Sequence, residues 1–318
     1  MLKRSKLFLL TFFIIFAILV GFSFKYFVGE KPKVVFVLRT LDNQYWEIIR
    51  AGIEQGCKDF GIDGKVMAPR NGTAEEQMKM LKNVLEEPPD VLVVSRAISP
   101  DIIPNLEEFV KRNIPVLLIN TDEPWKNKTA YIGTNNIELG RKAGILMGAM
   151  LQPGDKVALI GRESSVERER IKGAKDSLEA AGINIAAETL KLSIDDKEND
   201  QNVKKVIEAI LQQHPDLKGV ITSTDYLAIP VVKVLQEQGL TMPVTGADGI
   251  IKMLELVEKG TLIGTVAQNP YDMGYLSVEA ALKVTKGEKI KRYIDSGVDI
   301  ITEDNVKQKL DFLRKVLK

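Results

Sequence analysis

The sequence of 318 residues predicts an α/β protein with two lobes, each built on a doubly wound parallel sheet. Short runs of apolar, mostly β-branched residues alternate with longer amphipathic segments, and the alternation restarts after a break at residues 121–129. A continuous apolar run is typical of a strand buried on both faces of a parallel sheet, and strand–helix alternation produces such sheets. The length agrees with two domains of ~100–200 residues each.

Seven apolar runs predict the strands. They lie at residues 34–38, 91–94, 116–119, 157–160, 220–222, 244–246 and 262–266. After the first run, Trp46, Ile49 and Ile53 recur at helical spacing, and Gly61 follows as a helix end. This is the order that a strand, a crossover helix and a parallel strand require.

Small polar residues predict the starts of two further helices, and three glycines predict a close packing contact of a later one. Thr73 and Ser99 each precede a first turn that is typical of a helix start. A later helix, from about residue 137, carries Gly140, Gly144 and Gly148 one turn apart. We expect this stripe to pack closely on the sheet, and we do not interpret it as a membrane motif.

The N-terminal segment, residues 1–30, predicts a hydrophobic helix that anchors the chain. Residues 7–24 form an 18-residue apolar run, preceded by Lys3, Arg4 and Lys6. Basic residues before such a run keep the N-terminus in the cytoplasm, and a spanning helix needs roughly 17–25 apolar residues whereas a cleaved signal peptide has about 7–15. We therefore expect a membrane-anchored protein on the extracytoplasmic face. If the leader is instead a cleaved signal peptide, the rest is secreted or periplasmic.

Composition excludes several classes of function. The chain has 44 basic and 43 acidic residues, a net charge of +1; residues 1–31 contribute +4, which leaves the rest at about −3. A weakly acidic body does not attract a phosphate backbone, so we expect no nucleic-acid partner. One cysteine, Cys57, and one histidine, His214, give no internal disulfide and no His/Cys zinc site. We expect no metal and no cofactor.

Polar side chains follow the predicted strands at their carboxyl ends, where open α/β sheets bind ligands. They are Arg39, Asp42, Asn43, Tyr45 and Trp46; Ser95 and Arg96; Asn120, Thr121 and Asp122; Arg162, Glu163 and Arg168; Thr224, Asp225 and Tyr226; Asp248; and Gln268 and Asn269. Amides and carboxylates take paired hydroxyls, arginine donates from a rigid fork, and aromatic faces cover apolar C–H surfaces. This mixture suits a small polyhydroxylated molecule.

Several of these residues also have a purely structural interpretation. Trp46 fits the apolar stripe of its helix and is as consistent with core packing as with ligand stacking, whereas Tyr45 lies off that stripe. Arg168 lies among acidic residues, where a solvated charged face would explain it equally well. Asp225 suits a helix cap, and Asp248 before Gly249 suits a turn.

No catalytic motif accompanies these residues. The sequence contains no nucleophile elbow, no phosphate-binding Walker loop and no dinucleotide fingerprint after the first strand. An enzyme of this shape would need an acid–base pair, for which only Asp225 and Asp248 qualify. We therefore predict a binding protein and not an enzyme.

Four motifs give the chain its resemblance to a known family. They are Leu41-Asp42-Asn43-Gln44-Tyr45-Trp46, Glu167-Arg168-Glu169-Arg170-Ile171-Lys172-Gly173, Gly246-Ala247-Asp248-Gly249, and Gly264-Thr265-Val266-Ala267-Gln268-Asn269-Pro270. From about residue 33 to the C-terminus the chain resembles the periplasmic sugar-binding proteins of the ribose/galactose type. The resemblance implies the type I fold of that family, in which three crossing strands join the two lobes.

The resemblance also implies site residues and lobe boundaries. It assigns sugar contacts to Asn43, Tyr45, Trp46, Arg168, Asp248 and Gln268, and the positions Ser95, Asn120, Thr121 and Thr224 complete the predicted ligand-binding set. The implied first lobe is 31–133 with 269–297, and the second is 134–268 with 298–318. At Asn120, Thr121 and Thr224 the chain departs from the ribose-binding pattern, so the resemblance implies a monosaccharide and does not identify which one.

The resemblance is compatible with two kinds of partner protein in the membrane. The closed, sugar-loaded form would present its surface to the membrane permease of an ABC-type sugar importer. Alternatively, an anchored form would act as a sugar co-sensor that signals to a histidine kinase of a two-component system.

Overall fold

The computed structural model describes residues 30–70, 73–96, 102–192 and 199–318. Lys33–Lys318 form a unit of their own. The predicted leader helix at 7–24 and the predicted helix start at Ser99 lie outside the described residues. Among the described residues, no helix is both long enough and apolar enough to cross a membrane.

The first half of the chain builds a six-stranded sheet. Its elements are β1 (Lys33–Val37), α1 (Gln44–Phe60), β2 (Asp63–Met67), α2 (Ala74–Val84), β3 (Val91–Val94), α3 (Ile102–Lys111), β4 (Val116–Ile119) and β5 (Ala130–Gly133). These strands and a later one, β11 (Tyr293–Asp295), lie in the order β11-β5-β4-β3-β1-β2. Every pairing between neighbours is parallel. We call this sheet, with the helices packed on it, the first lobe.

The second half builds a four-stranded parallel sheet with the order β7-β6-β8-β9. Its elements are α4 (Asn136–Gly148), β6 (Lys156–Arg162), α5 (Ser165–Ala180), β7 (Asn184–Leu192), α6 (Asn199–Gln213), β8 (Leu217–Thr222), α7 (Asp225–Glu237), β9 (Val244–Thr245) and α8 (Ile251–Glu258). We call this sheet and its helices the second lobe. In both lobes the second strand of the chain lies outside the first, so the order reverses between β1 and β3 and again between β6 and β8.

The C-terminal elements pass between these sheets. They are β10 (Gly264–Gln268), α9 (Pro270–Thr285), β11 (Tyr293–Asp295), β12 (Val298–Thr302) and α10 (Glu303–Val316). Strand β11 pairs with β5 in the first lobe, whereas β12 pairs antiparallel with β10 in a separate two-stranded sheet. The predicted α/β fold with parallel sheets is confirmed.

The predicted strands correspond to β1, β3, β4, β6, β8, β9 and β10, with ends that differ by a few residues. Strands β5 and β12 were not predicted from apolar runs, and neither were the edge strands β2, β7 and β11. The residues of these edge strands are mostly exposed or half-buried, whereas all four residues of β3 and of β4 are buried. An edge strand covered on fewer sides does not need a continuous apolar run, so the pattern that reveals a central strand is absent there.

The helix starts and ends follow local chemistry. Asn43 precedes α1 and accepts a hydrogen bond from the backbone N–H of Trp46, and Gly61 ends that helix in the left-handed region with φ of 67°. Thr73 accepts from the N–H of Glu76 at the start of α2, as its position predicts. These contacts satisfy backbone groups that have no partner within the helix.

The glycine stripe of α4 packs against a helix and not on the sheet as expected. A Cβ at Gly140 would lie 1.9 Å from the carbonyl oxygen of Arg170 in α5, and one at Gly144 would lie 2.5 Å from that of Ala174. On the facing helix, a Cβ at Gly173 would lie 2.1 Å from the carbonyl oxygen of Ile137. The stripe therefore lets the backbones of α4 and α5 approach closely, and this crossing fixes the position of Arg170.

Replacing Gly140 by Ala should destabilise the protein. The added methyl group would overlap the Arg170 carbonyl, and overpacking of this kind costs about 1–3 kcal/mol. Gly148→Ala on the same helix is the matched control, because a Cβ there comes no closer than 3.3 Å to Ala181. Urea unfolding of both variants measures the difference; equal stabilities would contradict the close crossing.

Candidate functional site

The first lobe brings four predicted residues together at the carboxyl ends of β1 and β4. Asn43 caps α1, and Tyr45 in the first turn donates from its hydroxyl to Oδ1 of Asn120 at 2.6 Å. The ring of Trp46 lies edge-on to that of Tyr45, with centroids 5.4 Å apart, and both side chains are buried. The start of α1 is thus joined to the end of β4 through a hydrogen bond between a buried tyrosine and a half-buried asparagine.

Asn120 is held in an uncommon backbone conformation. Its φ is 70°, in the left-handed region that asparagine tolerates better than most residues. The Tyr131 hydroxyl donates to its carbonyl oxygen at 3.1 Å, and its own Nδ2 donates to Oγ1 of Thr121 at 3.3 Å. These bonds fix both sides of the residue, so its orientation is set before any ligand arrives.

Ser95 lies at the carboxyl end of β3, between these groups. The amide of Gln77, on α2, donates to the carbonyl oxygens of Leu38 at 3.3 Å and Ser95 at 2.9 Å, and so ties the ends of β1 and β3 together. The hydroxyl of Ser95 is buried and has no hydrogen-bond partner among the residues that the structure describes. A buried hydroxyl without a partner costs free energy, which a ligand at this sheet edge can recover.

In the second lobe the polar groups converge on Asp248. Its Oδ1 accepts from Nη1 of Arg170 at 3.2 Å and from Nε2 of Gln268 at 2.9 Å. Its Oδ2 accepts from the backbone N–H of Asp225 at 3.0 Å. Two predicted residues, Asp248 and Gln268, are therefore brought into direct contact, and both are buried.

Arg168, predicted as the arginine of the site, is not brought to it. Its side chain is 56% exposed and pairs with Glu163 at 3.4 Å. Arg170, two residues later, is the guanidinium beside Asp248, with a side chain only 5% exposed. A two-residue step turns the side chain to the other side of a helix, so Arg170 of this run, and not Arg168, contacts Asp248.

A helical-periodicity signal for Arg170 was present in the sequence. The residues three and four positions after Arg170 are the small residues Gly173 and Ala174, whereas those after Arg168 are Ile171 and the charged Lys172. Arg170 therefore shares the inward face of α5. Its Nε donates to Oδ1 of Asn136 at 3.0 Å and its Nη1 to the carbonyl of Ser223 at 2.8 Å.

Asp225 organises the loop that carries Asp248 and does not cap its own helix. Its carboxyl oxygens accept from three backbone N–H groups, those of Ala247 at 2.8 Å, Asp248 at 3.1 Å and Ile250 at 2.9 Å. Burial, and then the charge of Asp248, raise the pKa of Asp225 to about 7, against the lowering effect of these three bonds. From the sequence, Asp225 was expected to cap the start of its own helix. In the structure its role depends on backbone groups more than twenty positions away along the chain.

Thr224 immediately precedes Asp225 at the carboxyl end of β8. It occupies the N-cap position of α7, yet its side chain makes no capping bond. Its hydroxyl is buried and lacks a hydrogen-bond partner within the described ranges. Among the described residues, the carboxyl ends of the strands therefore hold buried hydroxyls without a hydrogen-bond partner in both lobes: Ser95 in the first, and Thr224 and Thr245 in the second.

Gln268 links the Asp248 cluster to the segments that pass between the lobes. Its Oε1 accepts from the hydroxyl of Thr134 at 3.2 Å, and Thr134 lies 3.1 Å from the hydroxyl of Ser296. Thr134 follows β5, Gln268 ends β10 and Ser296 lies between β11 and β12. All three side chains are buried. The three connections thus meet in one hydrogen-bonded group.

The polar groups of the two lobes lie within electrostatic range of each other. Burial, and then the charge of Asp248, raise the pKa of Tyr45 well above its usual value, while the charge of Arg170 opposes this. The Tyr45 hydroxyl of the first lobe therefore lies within electrostatic range of the buried ion pair of the second. A small molecule between the lobes would meet hydroxyls and amides on one side and a planar donor–acceptor pair on the other.

Two doubly wound sheets whose carboxyl ends collect polar groups around one site define a two-lobed α/β binding protein. The family model for the periplasmic binding protein domain matches residues 34–289. The chain belongs to the periplasmic binding protein family.

Curated relatives align along most of their length. The ribose import binding protein RbsB of Haemophilus influenzae is 23% identical over 291 residues, which cover 90% of this chain and 97% of that protein. The D-allose-binding periplasmic protein of Escherichia coli is 25% identical over 289 residues, covering 86% and 90%.

Solved structures show the same fold. The glucose-galactose binding protein GanP of Geobacillus stearothermophilus superposes with a TM-score of 0.76 at 25% identity, covering 87% of this chain and 99% of GanP. An ABC transporter periplasmic solute binding protein of Actinobacillus succinogenes, with bound D-allose, has a TM-score of 0.79 at 22% identity and covers 87% and 100%.

The raised pKa of Asp225 predicts a pH dependence of stability. An unfolded aspartate titrates near pH 4, so between about pH 4 and pH 7 the unfolded chain ionises first and the free energy of unfolding falls as pH rises. Asp225→Asn should remove this contribution to the slope, in addition to a pH-independent loss from the broken N–H contacts. Chemical unfolding of both proteins from pH 4 to pH 8 measures the slopes, and parallel curves would contradict the raised pKa.

Proposed function

We propose that this protein binds a neutral monosaccharide between its two lobes. The observation that carries the proposal is the Arg170–Asp248–Gln268 cluster opposite Tyr45 and Asn120. Arg170 uses Nε and Nη1 in its bonds to the protein, and Nη2 has no partner among the described residues. A rigid donor beside a carboxylate matches a pair of vicinal hydroxyl groups.

The ligand-binding residues that we propose are Asn43, Tyr45, Trp46, Ser95, Asn120, Thr121, Arg170, Thr224, Asp248 and Gln268. Arg170 takes the role first assigned to Arg168. The charges of Arg170 and Asp248 balance each other, so a buried ligand carrying a net charge would lack a counter-ion and would be disfavoured. This favours a neutral sugar over a uronate or a sugar phosphate.

The proposed role is delivery of the sugar to an ABC-type importer without chemical change. The relatives named as ribose import and allose-binding proteins support this role, as do matched structures described as ABC transporter binding proteins. Closure on the ligand would shift the population toward the form that a permease recognises. A binding assay in which the sugar is recovered unchanged tests this against turnover.

A tethered sugar co-sensor for a histidine kinase is the second candidate. The cationic apolar leader at 7–24 favours it, because a membrane anchor keeps a sensor beside its kinase. Co-purification of the full chain with a permease or with a kinase from its own membrane distinguishes the two roles.

A thermal-shift screen of residues 31–318 against pentoses, hexoses and polyols tests the binding proposal. A ligand present at about 100 times its Kd adds about 2.7 kcal/mol of stability, which is a readily measured shift. The absence of a shift with every neutral sugar would contradict the proposal.

Arg170→Ala should lower the free energy of unfolding by about 3–5 kcal/mol, because it leaves Asp248 buried without its cation. It should also reduce sugar affinity by about 10- to 100-fold, because a hydrogen bond from a charged donor to the ligand contributes about 1.5–3 kcal/mol. Arg168→Ala is the matched control on the same helix and should bind as the wild type does. Isothermal calorimetry measures both. Loss of affinity in Arg168→Ala with retention in Arg170→Ala would restore the original assignment.

A further inference from the structure

Helix α8 of the second lobe is capped by a side chain of the first lobe. Its N-cap residue is Ile250, which has no polar atom in its side chain and makes no capping bond. The first N–H groups of a helix have no acceptor within the helix. Here the N–H of Ile251 donates to Oε1 of Gln44, 2.8 Å away and 207 positions earlier in the chain.

At the start of α1, in the first lobe, a side chain of the second lobe lies near the first backbone N–H groups. The side chain of Asn43 accepts from the N–H of Trp46 at 3.4 Å. The hydroxyl of Tyr226, in the first turn of α7 in the second lobe, lies close enough to the backbone N–H groups of Tyr45 and Gln44 for them to oppose the rise of its pKa. Burial, and then the charge of Asp248, raise the pKa of Tyr226 to about 12, so the hydroxyl is neutral at physiological pH.

We propose that Gln44 and Tyr226 form an interlobe latch that sets the lifetime of the closed, ligand-holding state. Each lobe supplies the side chain that caps a helix N-terminus of the other. Because both bonds join residues of opposite lobes, both break when the lobes separate. The latch rests on the proposed function, since closure on a sugar is the event that it would control.

The latch acts on the site without touching the ligand. Gln44 lies between Asn43 and Tyr45 in the sequence, but its Oε1 is directed to Ile251. Tyr226 follows Asp225, whose carboxyl holds the Asp248 loop. The two bonds thus hold the segment that carries Asn43 and Tyr45 against the loop that carries Asp248. Gln44 and Tyr226 are therefore positioning residues.

Dissociation kinetics of the full chain test the latch, with the sugar that gives the largest thermal shift as the probe. A net hydrogen bond corresponds to about a 2- to 10-fold change in an equilibrium constant. Gln44→Ala and Tyr226→Phe should each raise the dissociation rate by about that factor. The association rate should stay within about twofold, because the sugar enters the open form.

Two variants separate the latch from a general effect on α1. Gln55→Ala is the matched control, since Gln55 bonds only within α1, from Nε2 to Oδ1 of Asp59 at 2.7 Å. It should leave both rates unchanged. Gln44→Glu keeps an acceptor opposite the N–H of Ile251 and should restore a dissociation rate close to that of the wild type.

A second measurement reports closure directly and does not depend on the identity of the sugar. With Cys57→Ser as background, spin labels at Lys111 in the first lobe and Lys172 in the second report the interlobe distance. Gln44→Ala should shift the distance distribution toward the open form, and Gln55→Ala should not.

Unchanged dissociation rates in Gln44→Ala and Tyr226→Phe, in a protein whose wild type binds sugar, would overturn the latch alone. Equal changes in association and dissociation would also overturn it, because they indicate a site altered in the open form. If the wild type binds no sugar, the proposed function fails, and the distance measurement alone decides on the latch.

Discussion

The buried ion pair of Arg170 and Asp248 is the interaction on which the arrangement of the site depends. A charge removed from water is tolerated only when it is paired and hydrogen-bonded. A tight helix crossing positions Arg170, and the carboxylate of Asp248 accepts from the backbone N–H of Asp225 and from Gln268. Through Gln268 it reaches Thr134 and Ser296, so the pair is joined to the segments that connect the lobes. Binding and hinge geometry are therefore coupled through one set of polar contacts.

The two lobes contribute differently to recognition. The first offers neutral groups in fixed orientations, with Asn120 held between Tyr45 and Tyr131. The second carries the buried charges and the carboxyl of Asp225, which organises the Asp248 loop. A neutral ligand can bridge these surfaces without disturbing the charge balance. Such a division also lets the open form keep its charged cluster intact, because the ion pair lies within one lobe.

The sequence predicted most of the central strands and most of the site positions for the same physical reason. Strands buried on both faces need continuous apolar runs, and the residues that follow them must reach the sheet edge where ligands bind. The same logic failed for β2, β7 and β11, which are edge strands with exposed residues. It also failed for the glycine stripe of α4, because a small-residue stripe indicates close approach without naming the partner element.

The sequence by itself determined the fold class, the family resemblance and the set of loops that carry the site, because these depend on periodicity and on short motifs. Only the tertiary structure decided that Arg170 and not Arg168 faces Asp248. The two arginines lie two positions apart on one helix, and the packing of that helix determines which of them points inward. The tertiary structure alone placed Asp225 under the Asp248 loop and Gln44 against Ile251, because those partners lie 22 to 207 positions away along the chain. Contacts at such separations leave no local pattern, and the folded chain is what brings them together.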